Sequence, residues 1–536
     1  MNFKKEKIMK RITFAVISLA CLGVQAQDTY LNERLTNNSN DVIGTARYVG
    51  MGGAMGALGA DISTISWNPA GLGLLRKSDV SLSFGGLWGT SRIKEENRGT
   101  GSFDQMGFVY SIRTQDHDVP YVNLGFNYQK KANYNYNFYA DNNNLKGLSQ
   151  MDQLAEFLTY NCATQYNLAG LMGGMNSESD NSVFEEYTVD GEKRYKNLAP
   201  GSNNYYTHHS EGGLQGYDFS ASVNIKDRGY VGLTIGVDNM NYRNWSTYTE
   251  IAGTNDRTDD YEVYNDVKIT GYGLNVKLGA IVRPIEESSF RFGLVVETPT
   301  WYRLKNSTYY SANVKNVSNT VYDDYLEYTL RTPWKLRAGI GSTVGSWMAW
   351  DVDYEFAHYG FGKMGYPKFN ERDEFSNSFA NDRDRVMEQH TKNTLKAAHT
   401  LRAGLEFRPA SAWAVRLGYN HITSSYKEGA TFDQVTLAEG STYSYAMNYA
   451  VNTSYMNLGA TNILTLGLGF KYKAFYADLA YKVRRQKADF YAFDCTYTNS
   501  GSDFSEQNPT LTGERIDPVD VDLTRQSFTC TLGFRF

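Results

Sequence analysis

A period of two in the apolar residues, repeated along most of the chain, constrains this sequence more than any other feature. Between 462 and 473, Leu464, Leu466, Leu468, Phe470 and Tyr472 alternate with Thr465, Gly467, Gly469, Lys471 and Lys473. Between 475 and 484, Phe475, Ala477, Leu479, Tyr481 and Val483 alternate with Tyr476, Asp478, Ala480, Lys482 and Arg484. Successive side chains of a strand point to opposite faces, so each stretch predicts a strand with one apolar and one polar face. The same signal recurs at Leu401–Arg408 and Trp413–Asn420, and around Val80, Met106, Val122, Phe219, Val231, Leu274, Phe290, Trp334, Trp350 and Phe528. That makes fourteen predicted strands.

The connections alternate in length. Short ones fall at 113–120, 227–229, 283–289, 341–346, 409–412 and Ala474. Long ones fall at 130–213, 241–268, 299–330, 358–396, 421–460 and 487–520. Short turns at one end, long loops at the other and an even strand number describe an all-β, 14-stranded antiparallel transmembrane barrel over 78–536. Both termini then lie on the short-turn, periplasmic side. A soluble sandwich or propeller would also alternate. The membrane reading is favoured because the polar faces carry Gly, Asn, Asp, Lys and Arg throughout, and because Tyr419, Tyr472, Trp334 and Phe407 sit near strand ends as an aromatic girdle would. The mean hydropathy of −0.49 fits a barrel whose lumen and loops are polar.

The N-terminus predicts export. A basic stretch to Arg11, an apolar run from Ile12 to Val24, and Val24-Gln25-Ala26 before Gln27 form a signal peptide over 1–26. Met9 also supplies a start with its own basic flank. Ser18 stands where a lipobox before Cys21 would need Leu, so Cys21 is expected to leave with the signal. Removing 1–26 takes the net charge from −5 to about −9, which argues against a nucleic-acid partner. The remaining cysteines, Cys162, Cys495 and Cys530, are odd in number and far apart, giving neither a disulfide framework nor a zinc site. No metal and no cofactor are expected. Ser, His and Asp form no Gly-x-Ser-x-Gly turn, so an enzyme is not expected either.

Residues 27–77 do not alternate. Gly44–Asp61 is rich in Gly and Ala and runs into Trp67-Asn68-Pro69-Ala70-Gly71-Leu72. Small residues permit close packing in a confined space. A segment preceding the first strand is placed to fold back as a plug. The pair Gly50-x-Gly52 is no dinucleotide site, since no strand precedes it.

An exported chain with this layout, Arg47, Gly52-Gly53, Asp61 and Trp67-Asn68-Pro69-Ala70 ahead of fourteen alternating strands, resembles the FadL/TodX outer-membrane transport family, and its Bacteroidetes-type members in particular. The resemblance covers the mature chain in architecture, and its specific motif covers about 44–72. It implies a monomeric channel in the outer membrane for passive uptake of hydrophobic molecules such as long-chain fatty acids. It also implies a hatch over 27–77 with Gly52, Gly53, Asp61, Trp67, Asn68, Pro69 and Ala70 as its motif, and in well-studied members a lateral exit at a kinked third strand. Here the third strand ends at Tyr128–Asn133 without Pro or Gly to mark a kink. The terminal Phe536 looks like the recognition signal of the outer-membrane insertion machinery.

Two local features suggest ligand contacts. In the insertion 130–213, Met151, Leu154, Phe157 and Leu158 fall at helical spacing and either catch an apolar ligand or pack on neighbouring loops. His208-His209 is a candidate haem contact, of interest because relatives of this family are described as hemin receptors; a solvated loop pair is the simpler reading. A secretion-system shuttle, which would hold a stable protein partner, is the other alternative. A TonB-dependent receptor needs a larger plug. The lumen charges Arg402, Glu406, Arg416, Asp478, Lys482 and Arg484 either attract an anionic head group or pair among themselves.

Overall fold

The computed structural model describes residues 41–89, 99–159, 184–189, 191–197, 201–252, 260–314, 317–367, 381–430, 434–436, 442–444, 453–493, 497–498, 510–511 and 516–536. The signal peptide, Cys162 and Cys495 lie outside them.

Fourteen strands close on themselves among the described residues. They are β1 (Asp79–Gly89), β2 (Thr100–Arg113), β3 (Tyr121–Asn133, continued by Tyr136–Asn142), β4 (Gly201–Ile225), β5 (Gly229–Ala252) and β6 (Tyr261–Val282). Next come β7 (Arg291–Glu297 and Trp301–Val314), β8 (Val317–Arg331 and Lys335–Val344), β9 (Met348–His358 and Lys363–Pro367) and β10 (Ala397–Ala410). The last are β11 (Trp413–Ile422), β12 (Tyr455–Tyr472), β13 (Phe475–Tyr491) and β14 (Arg525–Arg535). Each pairs antiparallel with its neighbour, and β14 returns to β1, with Asp79 opposite Arg535 and Gly89 opposite Arg525. All fourteen expected strands are present, and the expected short connections are its tight turns.

The two faces settle the environment. Leu464, Leu466, Phe219, Leu294, Leu417 and Phe534 are exposed, while Arg402, Glu406, Arg416, Asp478 and Lys482 on alternate positions are buried. That is a water-soluble protein turned inside out, and only lipid makes such an outer surface stable. Trp334, Phe407, Tyr419 and Tyr472 all face outward. No helix among the described residues is long and apolar enough to cross a membrane.

Two of the expected long loops are largely strand. Residues 241–252 and 261–268 extend the β5–β6 ladder, and 301–314 pairs with 317–331 beyond the membrane band. Outside lipid, neither face of a strand has to be apolar, so these extensions lose the alternation that marks the spanning parts. The other long connections also hold structure: helix α2 (Gln150–Thr159) and the hairpin 184–197 in the first, helix α3 (Arg385–Thr394) in the fourth.

At one level the ladder is broken. Pro299 and Pro333 interrupt β7 and β8 side by side, because neither has an N–H to donate. Thr300 N donates to Thr332 Oγ1 at 2.8 Å, and Thr332 N to Thr300 O at 3.1 Å. Trp301 and Trp334 project outward beside this break. The level lies about ten residues from the short turns, the length needed to cross a bilayer at a tilt.

Candidate functional site

The interior has two regions. At the membrane level, residues 41–75 run through the barrel. Thr45 caps the short helix α1 (Ala46–Gly50), its hydroxyl accepting from Tyr48 N at 3.2 Å. Two 3-10 turns follow, Ile62–Ser66 and Pro69–Leu74.

The residues singled out from the sequence lie along this course. Asp61 caps the first turn by accepting from Ser63 N at 2.9 Å, and takes the Thr45 hydroxyl at 2.7 Å. Asn68 caps the second, its Oδ1 accepting from Ala70 N at 3.1 Å while its Nδ2 donates to Gly56 O at 2.6 Å. Pro69 follows at the first helical position, where its missing N–H costs nothing. Gly52 and Gly53 have φ of +64° and +74°, which only glycine adopts without strain. Ala70 is fully buried.

Trp67 is a hub. Arg402 lies 3.6 Å and Arg337 4.2 Å from its ring centroid. Its Nε1 donates to Asp353 Oδ2 at 3.0 Å. Two carboxylates of β9 then hold the turn before it: Asp353 Oδ2 accepts from Met55 N and Gly56 N at 3.1 and 2.8 Å, and Asp351 Oδ2 from Ala57 N and Leu58 N at 3.0 and 2.6 Å. Four consecutive backbone donors of an irregular segment are thereby satisfied by two side chains of the wall.

The wall makes room by omitting side chains. A Cβ on Gly232, Gly279, Gly293, Gly404 or Gly418 would lie 2.4, 2.1, 2.5, 2.5 and 2.1 Å from an atom of the luminal segment. Those glycines come from β5, β6 and β7 on one arc of the wall and from β10 and β11 on another. The lumen charges are consumed the same way. Glu406 pairs with Arg47 of the segment at 2.9 Å and with Arg416 at 2.7 Å; Arg416 reaches Asp478 at 2.6 Å. Lys482 pairs with Asp41 at 2.9 Å, Arg484 lies 3.9 Å from the same carboxylate, and Arg402 donates to Tyr48 OH at 2.9 Å. These charges hold the segment and one another. The sequence named them without this order, because the partners are hundreds of residues apart.

Toward the long loops the interior changes character. The inward faces of β4 to β10, β12 and β13 contribute one large apolar cluster that includes Tyr206, Tyr242, Ile269, Leu304, Leu330 and Phe490. Met151, Leu154 and Leu158 of α2 are buried in it, so they pack on the wall and do not present an exposed stripe. The side chain of Phe157 lies outside the described residues. Helix α2 is docked by Glu250 of β5, which accepts from Gln150 N at 3.1 Å, Tyr248 OH at 2.5 Å and Tyr261 OH at 3.0 Å, and from the Ser149 hydroxyl. Burial pushes the Glu250 carboxyl above its ordinary range, and the four donors only partly offset it.

His208 and His209 do not form one site. Consecutive residues of β4 face opposite ways. His208 points inward and stacks on Phe138 at 4.8 Å and Tyr136 at 5.2 Å; His209 points outward and stacks on Trp245 at 5.4 Å. The pair cannot close on one iron together. No cluster of metal-ligating side chains occurs among the described residues.

The third strand carries an irregularity the sequence did not mark. β2 and β3 pair only from Gln105 opposite Gln129 to Arg113 opposite Tyr121. Past Gln129, among the described residues, β3 pairs with β4 alone, with a bulge between Lys130 and Ala132 and a break at 134–135. The glycine signal lies on the partner strand, where Gly212 has a φ of +109°.

No family profile matches the chain, and no curated protein matches it by sequence. Solved structures with a similar fold do exist. One is the CymD monoaromatic hydrocarbon channel, 11% identical, with 93% of this chain and 98% of that one covered and a TM-score of 0.48. A Pseudomonas aeruginosa FadL homologue is 10% identical, with 92% and 98% covered and a TM-score of 0.48. The Ralstonia pickettii toluene transporter TbuX is 14% identical, with 93% and 99% covered and a TM-score of 0.46.

Proposed function

We propose that this protein is an outer-membrane channel for passive uptake of hydrophobic small molecules, with long-chain fatty acids as a substrate class, of the FadL/TodX type. The observation that carries the reading is the change of character along the interior. An apolar, tyrosine-rich vestibule at the long-loop end leads to a polar lumen filled by residues 41–75. An apolar molecule gains about 0.8 kcal/mol for each CH₂ it buries, so such a vestibule concentrates it out of water. The lumen beneath is already filled by residues 41–75, whose own apolar side chains pack there beside the ion pairs.

In this reading the long loops face outside and both termini face the periplasm. Residues 27–77 act as the hatch, with Gly52, Gly53, Asp61, Trp67, Asn68, Pro69 and Ala70 setting its shape. Helix α2 closes the vestibule and must yield for ligand to enter. The stretch of β3 past Gln129, where its ladder with β2 ends, is the place in the wall where an apolar molecule can leave sideways into lipid without crossing the charged lumen. The lipid-facing outer surface, and Phe536 at the chain end as a mark for the insertion machinery, fit the same reading, as does a monomer.

Proteoliposomes test it. Entry of a fluorescent long-chain fatty acid is expected to be accelerated by the protein and returned to the protein-free rate by Phe138→Asp with Tyr206→Asp, in a barrel whose strand content is unchanged. Unchanged entry with that double variant overturns the proposal.

A further inference from the structure

Between β2 and β3 the backbone ladder ends at Gln105 opposite Gln129, and beyond that level side chains cross where backbone bonds do not. Lys130 Nζ donates to Ser102 Oγ of β2 at 2.9 Å, and Arg525 Nη1 of β14 donates to Asn133 O at 2.7 Å. The bulge between Lys130 and Ala132 sends two successive lysines different ways. Lys131 reaches over β4 and is neutralised there, pairing with Asp238 at 2.6 Å and Asp218 at 3.3 Å. Lys130 is half-buried, and its hydrogen-bond partner among the described residues is a neutral hydroxyl. The carboxylate that faces it, Asp104, accepts from that same hydroxyl, faces Lys482 as well, and makes no ion pair with Lys130. An ammonium carries three donors, and here one of them is spent.

This ammonium stands between two apolar surfaces. Toward the short turns, on the outside, Phe103 and Tyr217 are exposed, and Tyr128 is in ring contact with both at 5.3 and 5.4 Å. Toward the long loops, on the inside, Ala132, Tyr134 and Phe138 of β3 belong to the vestibule. A molecule that leaves the vestibule by this stretch passes Lys130 on its way to the lipid-facing rings.

We propose that Lys130 is the specificity-determining residue of the sideways exit, where its ammonium takes the ionised carboxylate of a departing acid and so favours fatty acids over neutral molecules of the same chain length. A neutral chain gains nothing from the ammonium. A carboxylate gains a charge-assisted hydrogen bond in a half-buried setting, where such bonds are stronger than in water. Asp104 does not cancel that gain, because a carboxylate in direct contact interacts more strongly than one held beyond contact. The inference rests on the channel function and the sideways exit proposed above.

Proteoliposomes loaded with the full chain test it, with a tail-labelled fluorescent fatty acid and the alcohol of the same chain and label, at an alkaline pH that keeps the acid ionised. Lys130→Met is expected to lower protein-dependent entry of the acid about tenfold while slowing the alcohol less than about twofold. Lys130→Arg is expected to restore most of the preference for the acid. Equal loss for acid and alcohol, or no loss for either, in a barrel of parental strand content would overturn the role of Lys130 and leave the channel standing. A parent protein that speeds neither molecule would overturn the channel function, and this inference with it.

Discussion

The lower and upper halves of the interior solve the same problem by opposite means. At the membrane level the lumen is filled by residues 41–75, held by ion pairs, by the Asp351–Asp353 clamp and by a ring of wall glycines. Toward the long loops it is filled by tyrosines and aliphatic side chains, with α2 laid across them. The first arrangement is specific and leaves no slack, since each polar partner lost strands a buried charge or donor. The second depends on area and can be re-formed around another apolar molecule. Under the proposed function the first would seal and the second would capture.

The sharpest way to break this contrast is to crowd the sealed half. Gly418→Leu places a side chain where the Gly52 amide already lies, 2.1 Å from the would-be Cβ. The segment and the wall then cannot both keep their places, a cost of more than about 3 kcal/mol. Limited proteolysis is expected to cut within 41–78 in the variant and not in the parent.

Removing the clamp should open the seal without crowding it. Asp351→Ala with Asp353→Ala leaves the four N–H groups of Met55–Leu58 without acceptors, at about 1–3 kcal/mol for each that stays dry. Water entry relieves that cost. Single-channel conductance in a planar bilayer is expected to rise several-fold over the parent. An unchanged conductance would mean that the ion pairs, the glycine contacts and the apolar packing of the segment hold it without the clamp.

A smaller effect is expected where the two halves meet the helix. The Glu250 carboxyl is raised in the folded protein, so its contribution to docking α2 is full below the ordinary carboxylate range and is lost as pH rises through its folded value. Amide exchange in 150–158 is therefore expected to slow as pH falls toward the carboxylate range, after correction for intrinsic exchange. Glu250→Gln should abolish that dependence. Dependence that survives in the variant would move the effect to another group.

Much of the barrel was legible because lipid imposes a rule that sequence records directly. Leu464, Leu466 and Leu468 must be apolar and their neighbours must not. Beyond the membrane the rule lapses, so strands such as 301–314 read as loop. Asp61 and Asn68 stood out only as members of the motif that the resemblance rests on; their capping role appears with the folded segment. The clamp was not legible, since nothing ties Asp351 to the amide of Leu58 except the closed barrel. The wall glycines were visible only as polar-face residues; their reason is the backbone pressed against them. His208-His209 misled by adjacency, which in a strand means opposite faces.

Paired flux through proteoliposomes is the most direct test of a sealed polar lumen beneath an apolar vestibule. A fluorescent long-chain fatty acid is expected to enter faster with the protein present, while glucose is not. Fast glucose entry with no gain for the fatty acid would contradict it.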